Sequence, residues 1–573
     1  MSEELRSHAV VISPHQDDAA ISLGDHLLKY PPGNVHVVNI FTHSNSHMLA
    51  GVSDDPDVVS PIRAAEDQRV ADQFRYNFTD LGLSDSEIRG TEWNDHDAPI
   101  DPDVLQQAAD RIAGHLGHHS LDLYIPAGFG LHPDHYLALL ACSRSALIAA
   151  IRDGKIIPHI YAEQPYYLEG QAHHNGHALL DESDSTEHAF NEATKLEMLS
   201  AYPSQLTEER VKMLMSIGVE RFWRLNADDY INFVLRSFAR KDEGQLRTFG
   251  TPDLLSAVQQ AYESPERKFD VIEVKSAEGH TINVPITFEA FRMGDRDVMA
   301  CRCSTIYMAD YMDFEGIDQF DAHALEQLKA ALKEKGGQIL WLSNVRRDTS
   351  IAELFRDQLT RPDVIHVDNI STYGADCAFS FEDWLSTRSK NARRSIRRKM
   401  RAMSDYCENE TNSKPEFTVS KAEPRDVERL LQLQSERARL TGNLADFSQD
   451  THYSSLIRNL VNVDNVYVAK LSIGSEDASM LLLFVDNVTK TIGIYMQGFD
   501  SRWTDLSPSF CAMSYLMEYA HEHGFRYVDF LRGDETYKSN FVNRQIQLDK
   551  YVFILDDEVD KADVEETIGA YEE

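Results

Sequence analysis

The chain has 573 residues, 42% of them hydrophobic, and a formal charge of −37, enough chain and apolar content for three or four domains with real cores. So acidic a composition opposes general affinity for nucleic acid or for an anionic membrane surface, and its plainest meaning is solubility. No run of about 18 apolar residues occurs and no membrane span is expected; Glu3-Glu4 leads almost directly into a strand, so no signal peptide is expected; and six scattered cysteines, only Cys301 and Cys303 close together, read as reduced thiols of a cytoplasmic protein.

In chain order, Ala9-Val10-Val11-Ile12 reads as a buried strand and Ala19 to Tyr30 as a helix with one apolar side. Ser13-Pro14-His15-Gln16-Asp17-Asp18 lies between them, at the carboxyl end of a strand, where open α/β sheets build their sites. Two adjacent carboxylates beside an imidazole are costly to bury unless a cation compensates them. The apolar runs 35–41 and 121–126, with helical stretches at 61–78, 102–116 and 136–152, continue a βαβ rhythm expected to form a doubly wound α/β sheet. The polar loop His43 to Asp57 reads either as a lid over a site or as an ordinary surface loop, with His43 a spare ligand candidate. A second cluster, Gly130-Leu131-His132-Pro133-Asp134-His135, follows the strand Leu121 to Pro126. If the two strands are neighbours, His15, Asp18 and His135 supply three ligands with one position left open, the pattern of a catalytic zinc site. Asp17 diverges from Asp18 and is left to act as a base.

His15-Gln16-Asp17-Asp18 with His132-Pro133-Asp134-His135 resembles the paired signature of the PIG-L/LmbE-like zinc N-deacetylases, which hydrolyse the acetamide of N-acetylglucosamine-type sugars. Arg63-Ala64-Ala65-Glu66, Tyr161 to Tyr166 and Ala201-Tyr202-Pro203-Ser204-Gln205 extend the resemblance over roughly the first 230 residues. It implies His15, Asp18 and His135 as zinc ligands and Asp17 as general base. It also implies His132 as oxyanion stabiliser or acid, oriented by Asp134. Gln16 and Ala19 depart from the usual Pro and Glu without removing a ligand or the base.

His115, His118 and His119 read as a solvated helix end rather than a second metal site, and His173, His174 and His177 as an exposed loop. Thr186 to Arg240 reads mostly helical, and Asp242-Glu243-Gly244-Gln245 as a hinge. An α+β region follows, with strands at 269–274, 281–288, 298–307, 338–342 and 364–369 and helices at 322–334 and 351–359. Arg388, Lys390, Arg393, Arg394, Arg397, Arg398, Lys399 and Arg401 then crowd one predicted helix, with Arg394, Arg397, Arg398 and Arg401 on one side. Such a patch attracts an anion such as a phosphorylated cofactor, or pairs with the chain's own carboxylates; without interleaved aromatics it does not read as a nucleic-acid site. Strands at 466–471, 480–485, 492–497, 527–531 and 551–555, a helix at 510–523, and an acidic end from Asp556 to Glu573 that reads as solvated complete the chain.

The basic helix 384–403, Trp503-Thr504-Asp505-Leu506-Ser507-Pro508 before a helix, and Asp529 to Lys538 resemble the FemAB-like branch of the GNAT acyltransferases, which carries two GNAT-type lobes in tandem. The resemblance spans roughly residues 245 to 555. It implies acyl-CoA as donor, since so acidic a chain does not suit a tRNA donor, and Lys538 as the cation steadying a tetrahedral oxyanion. Ser509 stands where many relatives have Gly.

The expected organisation is a deacetylase domain at 1–240, a first GNAT-like lobe at 241–375 and a second at 376–573. The expected function is bifunctional: removal of an N-acetyl group from an amino-sugar-type substrate, then N-acylation of the free amine. Asp17, His132, Asp134 and Lys538 would be catalytic, Arg394, Arg397 and Arg398 would contact the acyl-CoA, and the oligomeric state is left open. Two other readings stand beside it: a GNAT-like half that only binds substrate or dimerises, and a metal-dependent phosphoesterase in place of the deacetylase.

Overall fold

Strands β1 (Ala9–Ser13) and β4 (Leu121–Pro126) are buried at every position, as parallel strands covered on both faces must be. The structure, a computed structural model, describes residues 5–116, 120–169, 174–240, 244–441, 450–533 and 535–570. Two compact units emerge, Met1–Asp242 with Cys377–Thr387 and Glu243–Asp376 with Arg388–Glu573. The chain is α/β: a doubly wound Rossmann-like sheet, then tandem GNAT-like α+β lobes.

The first unit completes its sheet with β2 (Val35–His43), β3 (Asn77–Ser84), β5 (Ile156–Tyr161), β6 (Thr186–Ala189) and β7 (Val219–Arg224), in the order β3-β2-β1-β4-β5-β7-β6. The strands from β3 to β5 are parallel. The order reverses between β1 and β4, so the turns leaving these two strands face one crevice. Below it a polar network is sealed in the core: His26 Nε2 and the Tyr30 hydroxyl both meet the Tyr124 hydroxyl (2.7 and 2.9 Å), and Tyr30 donates to Asp122 (2.7 Å).

Several readings need refinement. Thr186 to Arg240 carries the expected helices, Glu192–Leu199, Glu208–Ile217 and Ala227–Ser237, but also two unexpected strands, β6 and β7, which pair antiparallel beyond β5. The helix assigned to 61–78 runs Pro56–Phe74, capped by Asp55, and the chain then forms β3. Its inward positions include Arg63, Glu66 and Asp67, so hydrophobic periodicity marks it poorly. The helix assigned to 136–152 is two, Pro133–Ala141 and Ser145–Arg152. The helix Phe381–Thr387 belongs to this unit; Arg144 pairs with Asp383 (3.6 Å), and the Ser145 amide donates to the same carboxylate (3.2 Å). Of the suggested hinge, Asp242 and Glu243 lie outside the described residues.

The second unit is built on β8 (Arg267–Lys275), β9 (Thr281–Met293), β10 (Arg296–Cys303), β11 (Ile339–Arg346), β12 (Val364–Asp376), β13 (Glu416–Lys421), β14 (Val466–Ile473), β15 (Glu476–Asp486), β16 (Thr491–Phe499), β17 (Tyr527–Arg532) and β18 (Arg544–Ile554). These form one sheet, β13-β14-β15-β16-β17-β12-β18-β11-β10-β9-β8. The lobes are therefore interleaved: β12 pairs with β17, and β18 fills the gap between β12 and β11. The end of the chain is not a solvated tail, because helix Lys561–Ala570 buries Val564 and Ile568 in a cluster with Met293 and Trp341. The basic helix is also divided. Arg388 precedes helix Lys390–Thr411 and is buried, donating to the Phe541 and Val542 carbonyls (3.1 and 2.8 Å). Among the described residues no single helix is long and apolar enough to cross a membrane.

Candidate functional site

Two strand-to-helix turns build the site. After β1, Ser13 Oγ accepts the Ala19 amide (3.2 Å) and donates to the His15 carbonyl (2.5 Å), while the His15 amide donates to Asp18 Oδ2 (2.8 Å). After β4 the chain turns through Gly128, Gly130 and Leu131, all at positive φ (71°, 73° and 51°). Gly130 has a second reason to be glycine, since a Cβ there would sit 3.3 Å from the Tyr166 ring. Leu131 has no such freedom and holds a strained conformation beside the site. Pro133 opens the next helix and His132 caps it, Nδ1 accepting the Asp134 amide (3.2 Å).

His15, Asp18 and His135 meet, with one ligand atom from each inside 4.8 Å of the others. Asp18 Oδ2 lies 3.1 Å from His15 Nδ1 and 3.3 Å from His135 Nε2. The far nitrogen of each imidazole rests on a carboxylate, His15 Nε2 on Asp134 (3.0 Å) and His135 Nδ1 on Glu163 (3.4 Å). Glu163 is itself fixed by the Ala127 and Gly128 amides (2.9 and 2.8 Å). Backing of this kind sets the tautomer of a metal-ligating histidine. His135 Nε2 is fully buried and has no hydrogen-bond partner, so the donor set fits a divalent ion.

The electrostatics divide the two adjacent carboxylates. Burial, with Asp18 alongside, pushes Asp17 above the ordinary carboxylate range against the pull of Arg63, whose guanidinium is 3.2 Å from Oδ1. Burial also opposes charge on Asp18, but His135 and the hydrogen bonds to His15 outweigh it and hold that carboxyl well below its usual range. Burial lowers His15, and Asp134 and Asp18 more than reverse it, to about 10, so the cradle favours a positive charge at its centre. Burial, with His135 nearby, drives His132 well below the usual imidazole range. It is neutral, and because Nδ1 accepts a backbone N–H, its proton sits on Nε2.

The Asp134 carboxylate does not orient His132 through a side-chain bond. It accepts from His15, from the Ser86 amide (2.9 Å) and from Arg89 (2.8 Å), and reaches His132 only through its own backbone N–H. Sequence reasoning left Arg63, Glu163, Ser86 and Arg89 without roles. The first two stood in quoted motifs; Ser86 and Arg89 carry no local signal. Glu66 in the Arg63 motif accepts the Ser204 amide (3.0 Å) and thereby ties down the 201–205 segment.

Ser46, His47 and Met48 line the same cavity of about 310 Å³, so the loop after β2 forms one of its walls. His43 is not in that lining; it bonds Ser84 (3.0 Å). His115 lies beside His36, with ring centres 5.6 Å apart, while His118, His119 and His173 lie outside the described residues. His174 and His177 are not an exposed loop: both imidazoles bond the Ala127 carbonyl (2.8 and 2.9 Å), bracing the turn after β4.

In the second unit Arg394, Arg397, Arg398 and Arg401 are exposed along one helix and line a cavity of about 660 Å³. Strands β16 and β17 run parallel but pair only from Thr491–Gly493 to Tyr527–Asp529, then part. Lys538 is neither on the surface nor idle: its ammonium donates to the carbonyls of Leu531, Arg532 and Gly533 (3.3, 2.6 and 2.9 Å). Another His/Asp group, His366, Asp368 and Asp549, already has a cation, since Arg347 donates to Asp368 (2.6 Å) and to Asp549 (3.1 Å).

Residues 390–539 match the acetyltransferase (GNAT) domain. The second unit therefore contains a GNAT domain. No curated protein sequence matches the chain. Among solved structures, a deacetylase from the teicoplanin biosynthesis pathway is 19% identical with a TM-score of 0.29, the match covering 38% of this chain and 97% of that one. The N,N'-diacetylchitobiose deacetylase of Pyrococcus horikoshii is 15% identical with a TM-score of 0.28, covering 39% and 84%. FemX is 11% identical with a TM-score of 0.39, covering 57% and 95%.

Proposed function

We propose that the first unit is a zinc-dependent N-deacetylase acting on an N-acetylated amino sugar or related small molecule in the cytoplasm. We further propose that the second unit re-acylates the free amine from an acyl-CoA. The observation that carries the first half is the convergence of His15, Asp18 and His135 around an orphaned imidazole nitrogen, with Asp17 beside them. His15, Asp18 and His135 would hold the ion, which when bound supplies Lewis acidity to an amide carbonyl.

The chain's own groups do the rest. Asp17, raised above its usual range and steadied by Arg63, takes a proton from the attacking water as its oxygen bonds to the carbonyl carbon. The Nε2–H of neutral His132 donates to the oxyanion that develops. As the C–N bond breaks, Asp17 returns the proton to the departing nitrogen, leaving acetate and the free amine. Asp134 and Glu163 hold the two ligand imidazoles and act through them.

For the second half, the exposed Arg394, Arg397 and Arg398 suit the phosphates of an acyl-CoA, and the GNAT match supports acyl transfer. A second reading has an observation of its own. The Lys538 ammonium is surrounded by the Leu531, Arg532 and Gly533 carbonyls and by the Glu535 carboxylate (3.1 Å), which favours a structural lysine and a C-terminal unit that binds substrate or dimerises. The test is mass spectrometry of products after the full chain, with Zn²⁺, meets N-acetylated sugars and an acyl-CoA panel. Acetate release that stops with chelator is expected, and a new N-acyl product only if the second unit catalyses. Phosphate release without acetate would replace the deacetylase by a phosphoesterase.

A further inference from the structure

The cavity of the first unit has a charged floor and an apolar rim. Met48, Trp93 and Met213 come from three separate segments, yet all three line it while keeping 42%, 48% and 37% of their surface exposed. Farther in, Ile21, Leu206 and Leu214 continue the same lining, and Ile21 and Leu214 are buried. Isolated exposed apolar residues need no explanation, but large ones gathered at the mouth of a site mark a surface that a ligand covers. The placement is held by the fold. The Met48 amide donates to the Ser204 carbonyl (2.7 Å), Gln205 donates to the Ser46 carbonyl (2.9 Å), and Met213 stands on helix Glu208–Ile217. Glu87 and Arg210, both exposed, also line the cavity, so its mouth is amphipathic.

Size sharpens the point. At about 310 Å³ the cavity is at the small end of ligand sites, which run from about 300 to 1,000 Å³. A sugar-sized ring with its acetamide fills such a space, and anything else the substrate carries must leave across the rim. We infer that the substrate is amphipathic: an N-acetylated amine on a polar ring that bears an alkyl or aryl substituent, which lies over Met48, Trp93 and Met213. For the reaction this rests on the deacetylase reading; for binding it rests on the rim alone.

The experiment uses the full chain with added Zn²⁺ and two probes, the methyl and hexyl glycosides of N-acetylglucosamine. It follows acetate release and, separately, binding by calorimetry. The expected result is a kcat/KM at least tenfold higher for the hexyl probe, the equivalent of burying about two methylene groups. The same preference is expected in binding. In a Met48→Ser/Trp93→Ser/Met213→Ser variant the hexyl-to-methyl ratio should fall to within about threefold of unity, with the melting temperature serving as the folding control. Equal kcat/KM and equal affinity for the two probes in the unaltered chain overturn the inference and leave the deacetylase reading standing. A hexyl preference in binding that the variant loses, with no acetate released from either probe, upholds the rim and removes the deacetylase.

Discussion

The two units treat a buried polar group in opposite ways. In the first, His135 Nε2 is sealed from solvent without a hydrogen bond, 3.3 Å from Asp18 Oδ2 in a cradle of carboxylates. In the second, Lys538 is also buried, and three carbonyl oxygens and the Glu535 carboxylate surround its ammonium. An unmet donor or acceptor in a packed interior is retained when something else completes it, whereas a fully met one holds the chain in shape.

The largest effect that tests this contrast is at Asp17. Asp17→Asn should lower acetate release by about a thousandfold while bound zinc measured by atomic absorption stays unchanged, whereas Asp18→Asn should lose both. Zinc lost from the Asp17 variant would mean that the adjacent carboxylates do not divide base from ligand. Lys538→Met should cost the second unit about 3 kcal/mol in denaturant unfolding, because three carbonyls lose their donor, with acetate release retained. Unchanged stability together with lost acyl transfer would instead make the lysine an oxyanion donor.

Mild acid should weaken the first unit through one imidazole. Burial, with Lys29 nearby, lowers His26 from 6.5 to about 3. In the unfolded chain this imidazole binds a proton below pH 6.5, and in the folded unit it does not until about 3. Stability is therefore full above 6.5 and falls as pH drops through that window, by up to about 1.4 kcal/mol per pH unit for this one proton. Urea melts at pH 7, 6 and 5 should show the slope, and His26→Gln should flatten it. Smaller still, Glu163→Gln should weaken zinc affinity by about 10- to 100-fold in competition with a chelator. The Arg394→Ala/Arg397→Ala/Arg398→Ala variant should raise the KM for an acyl-CoA by about tenfold at low salt and by less at high salt.

The contrast also shows what a sequence displays. The apolar runs of β1 and β4 and the polar clusters after them are local signals, so the doubly wound core was legible, and the meeting of His15, Asp18 and His135 followed on the condition that the two strands are neighbours, as they are. Roles fixed by contacts distant in the chain could not. Ser86 and Arg89 reach Asp134 across more than forty positions, and Asp134 bonds His15 rather than the neighbouring His132. Lys538 stood in a recognisable motif, but nothing in that motif foretold that three carbonyls would close around it. β6 and β7 escaped notice because short strands of mixed polarity, Thr-Glu-His-Ala and Val-Glu-Arg-Phe-Trp-Arg, lack the long apolar run or clear alternation that marks a strand in sequence.

The placement of β18 bears on how the protein is made. Residues 544–554 fill the gap between β11 and β12, strands synthesised some two hundred residues earlier. While the ribosome works through that interval, the nascent chain carries two strands with open edges, a hazard for wrong pairing. The first unit's parallel core has all its strands by Tyr161 and has no such wait. The order of emergence thus favours a first-unit core that settles early and a second-unit sheet that closes only once β18 has emerged.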